Sequence, residues 1–382
     1  MKKLPTLLLA GALMLALLAG CGGVPAPAAE TAEPAARAES ETAPAPEPEA
    51  EAPPESGEIA EEQPEESARE ICDDGRARPS SCGRLQVLDG KLCAENGEPV
   101  MLRGVSLNGL VTSEAFLNEE LFRELARDDG VNQIRLAMYT YGVGSVGYCT
   151  NGDKDRHKQD IAKGVELAGK LDMYVIIDWH ILSDGDPNTY LDEALFFFSE
   201  TAERYRDDPH VLYEICNEPN GVDWPTVRSY AEQVIPVIRE KDPDSVIIVG
   251  NPDWSKDLAS VAAEPLAFDN VLYTLHFYAA THGRELRELV RQVSREGLPV
   301  FVTEYGVTAS NGGFPRDLES ADAWIELLEE ENISYCLWAL SNAPEPCSMI
   351  RFNVLKHSGY EEADYTETGL WLLETLAKYK TR

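Results

Sequence analysis

The chain is short of positive charge. Lys and Arg number 33 against 67 Asp and Glu over 382 residues, a formal net charge of −34. Nucleic acids and anionic lipid headgroups need a basic face, so neither fits as a main partner, whereas a neutral substrate is unaffected. Metal-binding patterns are missing as well. The eight cysteines and six histidines form no CxxC and no Cys/His spacing that would build a zinc site. Asp178 and His180 find no third ligand at plausible spacing, so mutual hydrogen bonding is the better reading. A dinucleotide fingerprint fails on context: Gly142, Gly144 and Gly147 spell GxGxxG, but the loop YCTNGDKD follows where a helix is required. Neither a cofactor nor a metal is therefore expected.

A membrane-spanning run is also lacking. The apolar stretch LLLAGALMLALL (7–18) follows Lys2 and Lys3 and is too short and wrongly flanked for a lasting span. It ends in Leu18-Ala19-Gly20-Cys21, which resembles the bacterial lipobox, in which cleavage precedes a cysteine that carries lipid. Residues 1–21 are accordingly expected to be a lipoprotein-type signal peptide with Cys21 lipidated; an ordinary secretory signal is the alternative. Either one takes the mature protein out of the cytoplasm, to the extracellular face of the envelope or beyond.

Residues 22–70 lack aromatics and hold 14 Glu against 2 Arg, with many Pro and Ala. Such a segment cannot bury enough apolar surface to offset chain entropy and is expected to be a disordered, self-repelling linker. At about 3 Å per residue it would reach up to about 150 Å. The folded part is then residues 71–382, still carrying a net charge of about −24 once the linker and the two signal lysines are set aside. Cys72, Cys82 and Cys93 lie in irregular sequence and could bridge in an oxidising compartment, in a pairing the sequence leaves open. Cys216 and Cys336 sit in apolar strands and read as core residues.

From Gly83 onward one pattern repeats. Short apolar, β-branched runs occupy 101–107, 131–139, 173–179, 211–217, 245–250, 271–278, 299–306 and 333–340. Helical-period stretches at 118–129, 159–171, 191–206, 224–242, 284–296, 321–332 and about 366–380 alternate with them. Runs buried on both faces and separated by helices mean parallel strands. Eight of them in about 300 residues predict a (β/α)₈ (TIM) barrel, and no topological switch point argues for a doubly wound sheet. GRLQVLDGKLCAENGEPV (83–100) reads as a hairpin closing the barrel's bottom, and Phe196–Phe198 as the core face of a helix.

Barrel enzymes keep their chemistry at the C-terminal strand ends. Those ends carry Arg135 and Tyr139, then Asp178-Trp179-His180, Asn217-Glu218, His276-Phe277-Tyr278, Glu304-Tyr305 and Trp338. Polar groups inside a barrel are costly unless paired, so this convergence marks a site. Two glutamates on different strands match the carboxylate pair that glycosidic cleavage needs. Glu214, on the same side as Glu218 but deeper, reads as a paired structural carboxylate.

IRLAMYT, VIIDWHILSDGDPN, LYEICNEPNG, LHFYAATHG, VFVTEYG and CLWALSN, in this order, resemble bacterial endo-β-1,4-glucanases (cellulases) of glycoside hydrolase family 5, over residues 83 to about 378. The resemblance implies a retaining barrel enzyme with Glu218 as general acid/base and Glu304 as nucleophile. It implies substrate contacts by Arg135, Tyr139, His180, Asn217, His276, Tyr278, His282 and Trp338. Within it, Arg135 would keep Glu304 ionised, Tyr278 would donate to the same carboxylate, and Asn217 would meet the sugar 2-hydroxyl. His180 and His276 would bond substrate and carboxylates, and Trp338 would offer a sugar platform. Pro219 ends the strand and fixes the acid's backbone.

Asn108 and Thr112 stand where family members often have histidine and tryptophan, and Ala343 where a lysine is common, although Glu345 matches. These departures fall in the glycone subsites and leave chain length and exact glucan open. The expected partner is a β-glucan polysaccharide or oligosaccharide, acted on by a monomer with no carbohydrate-binding module after the last helix. A β-mannanase, mixed-linkage glucanase or xyloglucanase on the same scaffold is one alternative, and a non-catalytic glycan-binding lipoprotein another.

Overall fold

The computed structural model describes residues 75–142 and 146–379. The signal peptide, Cys21, the 22–70 linker and Cys72 lie outside the described residues. A two-stranded antiparallel hairpin, β1 (Gln86–Leu88) and β2 (Lys91–Cys93), precedes eight parallel strands. These are β3 (Arg103–Leu107), β4 (Gln133–Tyr139), β5 (Tyr174–His180), β6 (Val211–Glu214), β7 (Ile247–Val249), β8 (Val271–Tyr278), β9 (Val300–Gly306) and β10 (Tyr335–Leu340). They close in sequence order, with β10 pairing β3. The expected (β/α)₈ barrel is what forms.

A helix follows each strand: α1 (Glu119–Glu124), α2 (Lys154–Lys170), α3 (Leu191–Tyr205), α4 (Trp224–Lys241), α5 (Leu258–Ala263), α6 (Arg284–Arg295), α7 (Leu318–Glu330) and α8 (Glu367–Tyr379). Their starts follow from side-chain caps that satisfy the first free backbone N–H groups. Asn118, Asp153, Asp223, Asp257 and Asp317 each accept from a first-turn amide. The Asp153 cap starts α2 at Lys154, five residues ahead of the stretch the hydrophobic period picks out. α5 went unpredicted because six residues are too few to show a period. α1 runs on into a π-helical turn, Leu125–Asp129, that stops at Gly130 with φ of 89°.

The expectation for Phe196–Phe198 is corrected in part. Phe197 and Phe198 are buried against Trp179, but Phe196 is 57% exposed, because three consecutive helical residues span about 200° and cannot share one face. All six described cysteines are free thiols, so Cys82 and Cys93 do not bridge each other, while Cys216 and Cys336 are fully buried as expected.

The lower barrel interior is a dry plug. Leu85, Leu92 and Ala94 from the hairpin region pack with Tyr174, Ile176, Leu212, Ile248, Leu272 and Phe301 from the strands. Tyr174 donates its hydroxyl to Gly83 O at 2.8 Å, tying the hairpin down. One strand departs from regular alternation. Thr274 pairs with Phe301 but His276 pairs with Glu304, so β9 spends three residues where β8 spends two. That bulge turns both Thr303 and Glu304 toward the interior and sends Tyr305 out to stack on Phe277, a re-aiming bulges commonly perform beside sites.

Leu92→Ala opens a cavity in the plug and is expected to lower the unfolding free energy by about 2–4 kcal/mol. Urea denaturation measures the loss; an unchanged midpoint would show that the hairpin does not seal the barrel.

Candidate active site

The site is built upward from that plug. Arg135 on β4 is fully enclosed. Its Nε donates to Glu214 Oε2 at 2.7 Å, Nη1 to Glu304 Oε2 at 3.2 Å and Nη2 to Asn217 Oδ1 at 2.6 Å. Nη2 also lies 3.0 Å from Asp178 Oδ2. One planar fork thus orients groups from β5, β6, the segment after it, and β9, a task the lysine ammonium lacks the geometry for. Glu214 is the deep, paired carboxylate expected of it: Thr303 Oγ1 donates to its other oxygen at 2.7 Å.

Glu304 has both oxygens gripped, one by Arg135 and the other by the Tyr278 hydroxyl at 2.7 Å. Gly306 makes room for this, since a Cβ there would lie 2.6 Å from the Tyr278 ring. Donors from two different strands thus converge on this carboxylate and fix its orientation. Glu218 differs. Backbone bonds from Asn217 N to Trp179 O and from Glu218 N to Ile181 O hold its strand extension in place. Its Oε1 faces His276 Nδ1 at 2.9 Å. Burial pushes the Glu218 carboxyl up to about 7, with Arg135 and Lys256 opposing less strongly. Burial likewise pushes the imidazoles of His276 and His180 down, to about 4 and about 3, so both rings are neutral.

One carboxylate oxygen of Glu218, one of Glu304 and a ring nitrogen of His276 lie within 4.8 Å of one another. These atoms do not form a cation site. The His276 nitrogens are taken by Glu218 and Thr303, and the Arg135 cation already sits on Glu304.

His180 binds Asp178 Oδ2 through Nδ1 at 2.7 Å, the hydrogen bond expected of that pair. Its ring lies against Tyr139, 4.2 Å between centroids, and stacks on Trp338 at 5.4 Å and 14°. Trp338 is 8% exposed. The Asn217 amide is enclosed: its nitrogen donates to Ile181 O at 3.0 Å and lies 3.4 Å from His180 Nε2. His282 accepts from the Tyr278 backbone N–H at 2.9 Å and joins Glu218, Trp254, Lys256, His276, Tyr278 and Ser310 around an open depression of about 280 Å³.

Sequence reasoning missed Trp254 and Lys256. Trp254 is 47% exposed on a turn where Asp253, Trp254 and Ser255 all have φ of 55–58°. This left-handed backbone is costly for side chains other than glycine. Clamps from Trp254 N to Pro219 O and from Ser255 Oγ to Asn217 O hold it against the Glu218 segment. The run SVIIVG ends without a polar group, so its rim was passed over; the signal was Trp254, four residues on.

A carboxylate pair at the mouth of a parallel barrel, one member gripped by two donors and the other raised to about 7 by burial, defines an enzyme that cleaves glycosidic bonds. Residues 93–344 match the profile of the family described as cellulase (glycosyl hydrolase family 5). The chain is 43% identical over 302 residues to endoglucanase A of Butyrivibrio fibrisolvens, covering 78% of this chain and 70% of that protein. It is 39% identical over 307 residues to an endoglucanase of Clostridium saccharobutylicum, covering 80% of this chain and 67% of that one. The catalytic domain of Thermobifida fusca endoglucanase Cel5A, solved with cellotetraose as a glutamate-to-glutamine variant, superposes with a TM-score of 0.74 at 37% identity. That match covers 79% of this chain and all of that one. The chain belongs to glycosyl hydrolase family 5.

The raised Glu218 pKa has a stability consequence. Below about pH 4.5 the carboxyl is protonated in both the folded and unfolded chain. Between there and about 7 only the unfolded chain ionises, so stability falls as pH rises through this window. Glu218→Gln removes that loss and is expected to be more stable than the parent at pH 8 by on the order of 2 kcal/mol, with the difference vanishing near pH 4. Thermal unfolding at the two pH values tests this; equal shifts at both would refute it.

Proposed function

We propose that this chain is a retaining endo-β-1,4-glucanase acting on internal bonds of cellulose-type glucans by double displacement. The observation that carries the reading is the spacing of the two carboxylates, within 4.8 Å oxygen to oxygen. Retention needs about 5–5.5 Å between carboxyl groups, whereas inversion needs about 6.5–9.5 Å to admit a water. The β-1,4-glucan assignment is supported by the endoglucanase relatives.

In the first step the Glu304 carboxylate attacks the anomeric carbon while the Glu218 carboxyl gives its proton to the departing glycosidic oxygen. The bond to the leaving sugar breaks and an ester to Glu304 forms. In the second step the Glu218 carboxylate takes a proton from water, whose oxygen displaces Glu304 and restores both side chains. Arg135 and Tyr278 stabilise the Glu304 charge before attack and after release. The Asn217 N–H edge, weakly engaged with His180, is available to the 2-hydroxyl of the sugar at the cleavage point. Trp338, backed by His180 and Tyr139, stacks under that ring. Trp254, Lys256 and His282 receive the departing chain in the depression beside Glu218. The amino-terminal signal and linker support an exported enzyme held to the envelope through lipid on Cys21.

Glu218→Gln and Glu304→Gln are each expected to lower kcat/KM on carboxymethylcellulose by at least about 10³-fold. Proton NMR of the first products from cellotetraose should show the β anomer. Parent-like activity in either variant, an initial α anomer, or strong activity on mannan with none on carboxymethylcellulose would overturn the reading.

A further inference from the structure

Beneath Glu218 runs a chain of hydrogen bonds whose direction can be worked out from proton counting. Thr303 Oγ1 touches three groups: Glu214 Oε1 at 2.7 Å, His276 Nε2 at 3.0 Å, and the Thr274 hydroxyl. A hydroxyl has one proton to give. Glu214 is the carboxylate closest to Arg135, at 2.7 Å against 3.0 Å for Asp178 and 3.2 Å for Glu304, and a buried cation requires such a counter-charge. Burial raises the Glu214 carboxyl while Arg135 opposes it through charge and a hydrogen bond; paired with that cation it serves as the acceptor, and the Thr303 proton goes to its other oxygen. Thr274 Oγ1 accepts from Thr303 N at 3.3 Å and spends its own proton on Thr303 Oγ1. The third partner, His276 Nε2, must then donate to that oxygen.

We infer that Thr303 is a positioning residue that, by giving its proton to Glu214, fixes the proton of His276 on Nε2 and so holds Glu218 in its acid form. With Nε2 protonated and the ring neutral, Nδ1 presents a lone pair to Glu218 Oε1 at 2.9 Å. A carboxylate there would face a lone pair; a carboxyl meets it as a hydrogen-bond donor. The opposite tautomer would donate to Glu218 and favour the charged form, the wrong state for the first step. His180 shows the contrast: its Nε2 lies beside an amide N–H of Asn217 and its Nδ1 beside Asp178, which places its proton on Nδ1. The two histidines of the site therefore carry opposite tautomers, each set by what lies behind it.

Other charges bear on the pair. Arg135 and Lys256 favour ionised Glu218, and Glu214 disfavours it. Glu304 and Glu214 favour protonation of His276, and Arg135 and His180 oppose it. The Tyr278 and Tyr139 hydroxyls, turned toward Glu304 and Glu218, stay protonated through burial. Of these groups only Glu214 lies near Nε2, its Oε1 3.9 Å away and favouring a proton there; the hydrogen-bond partner of Nε2 is Thr303.

The inference rests on Glu218 being the acid/base, and the test separates the two. Nitrogen-15 NMR of the histidine-labelled full chain at pH 6 reads the tautomer directly; the Nε2–H pattern is expected for His276 and the Nδ1–H pattern for His180. Thr303→Val, which keeps the shape and removes the hydroxyl, should move the alkaline limb of kcat/KM down by about one pH unit. At pH 8, above both limbs, it should cost about ninefold on cellotetraose, and less than about threefold on 2,4-dinitrophenyl β-cellobioside, whose leaving group needs no acid. Thr303→Ser should restore the parent limb. An Nδ1–H pattern for His276 in the parent overturns the inference, as does a Thr303→Val enzyme with an unmoved limb or equal losses on both substrates. If instead Glu218→Ala hydrolyses cellotetraose like the parent, the acid/base reading itself falls.

Discussion

The structure turns on one buried cation. Arg135 is enclosed on all sides and holds Asp178, Glu214, Glu304 and Asn217. Burying a guanidinium among three carboxyl groups is a poor way to gain stability, because desolvation offsets most of the attraction and an unpaired charge left behind costs about 3–5 kcal/mol. What the arrangement provides is orientation and charge assignment. The fork gives Glu304 a fixed cationic partner. One positive charge cannot fully support four buried carboxylates: burial pushes Glu218 and Asp178 each up to about 7 and raises Glu214 as well. Two glutamates with the same side-chain chemistry thereby part ways, one gripped by the cation and the other raised by burial.

The barrel divides that task from stability along its axis. Below, the hairpin and early strand positions form an apolar plug without titratable partners. Above, most inward side chains are polar and paired, with Ala137 and Trp338 as apolar exceptions that pack together. Because β4 and β5 alternate regularly, the plug residue Ile176 passes directly to Asp178 and then His180 at two-residue intervals, and Gln133 to Arg135. The rim is placed by a lower half that takes no part in the chemistry.

Much of this was legible in the residue order. The eight apolar runs give the strands to within a few residues, since runs buried on both faces admit little else. The rim residues followed from reading strand ends, and the Arg135, Tyr278 and His276 contacts with carboxylates stand where the resemblance put them. What could not be read depends on local backbone departures. Strict alternation from Phe301 would point Thr303 and Tyr305 inward and Glu304 outward; only the bulge, invisible in composition or period, puts Glu304 inside. The left-handed turn bearing Trp254 is equally hidden, because nothing in NPDWS demands positive φ at three non-glycine residues. Phe196 shows the reverse error, where an apolar triplet looked more uniform than helix geometry allows.

The bulge in β9 gives the barrel wall one additional residue at one point. Removing a single residue there would let β9 fall back into regular register with β8. Phe301 and Glu304 would still face Thr274 and His276, so the carboxylate would stay in the lumen and Tyr305 outside it, and the residue given up would be Val302 or Thr303. What the additional residue supplies is a second inward group, the Thr303 hydroxyl immediately before the carboxylate, which a strictly alternating strand could not present from adjacent positions.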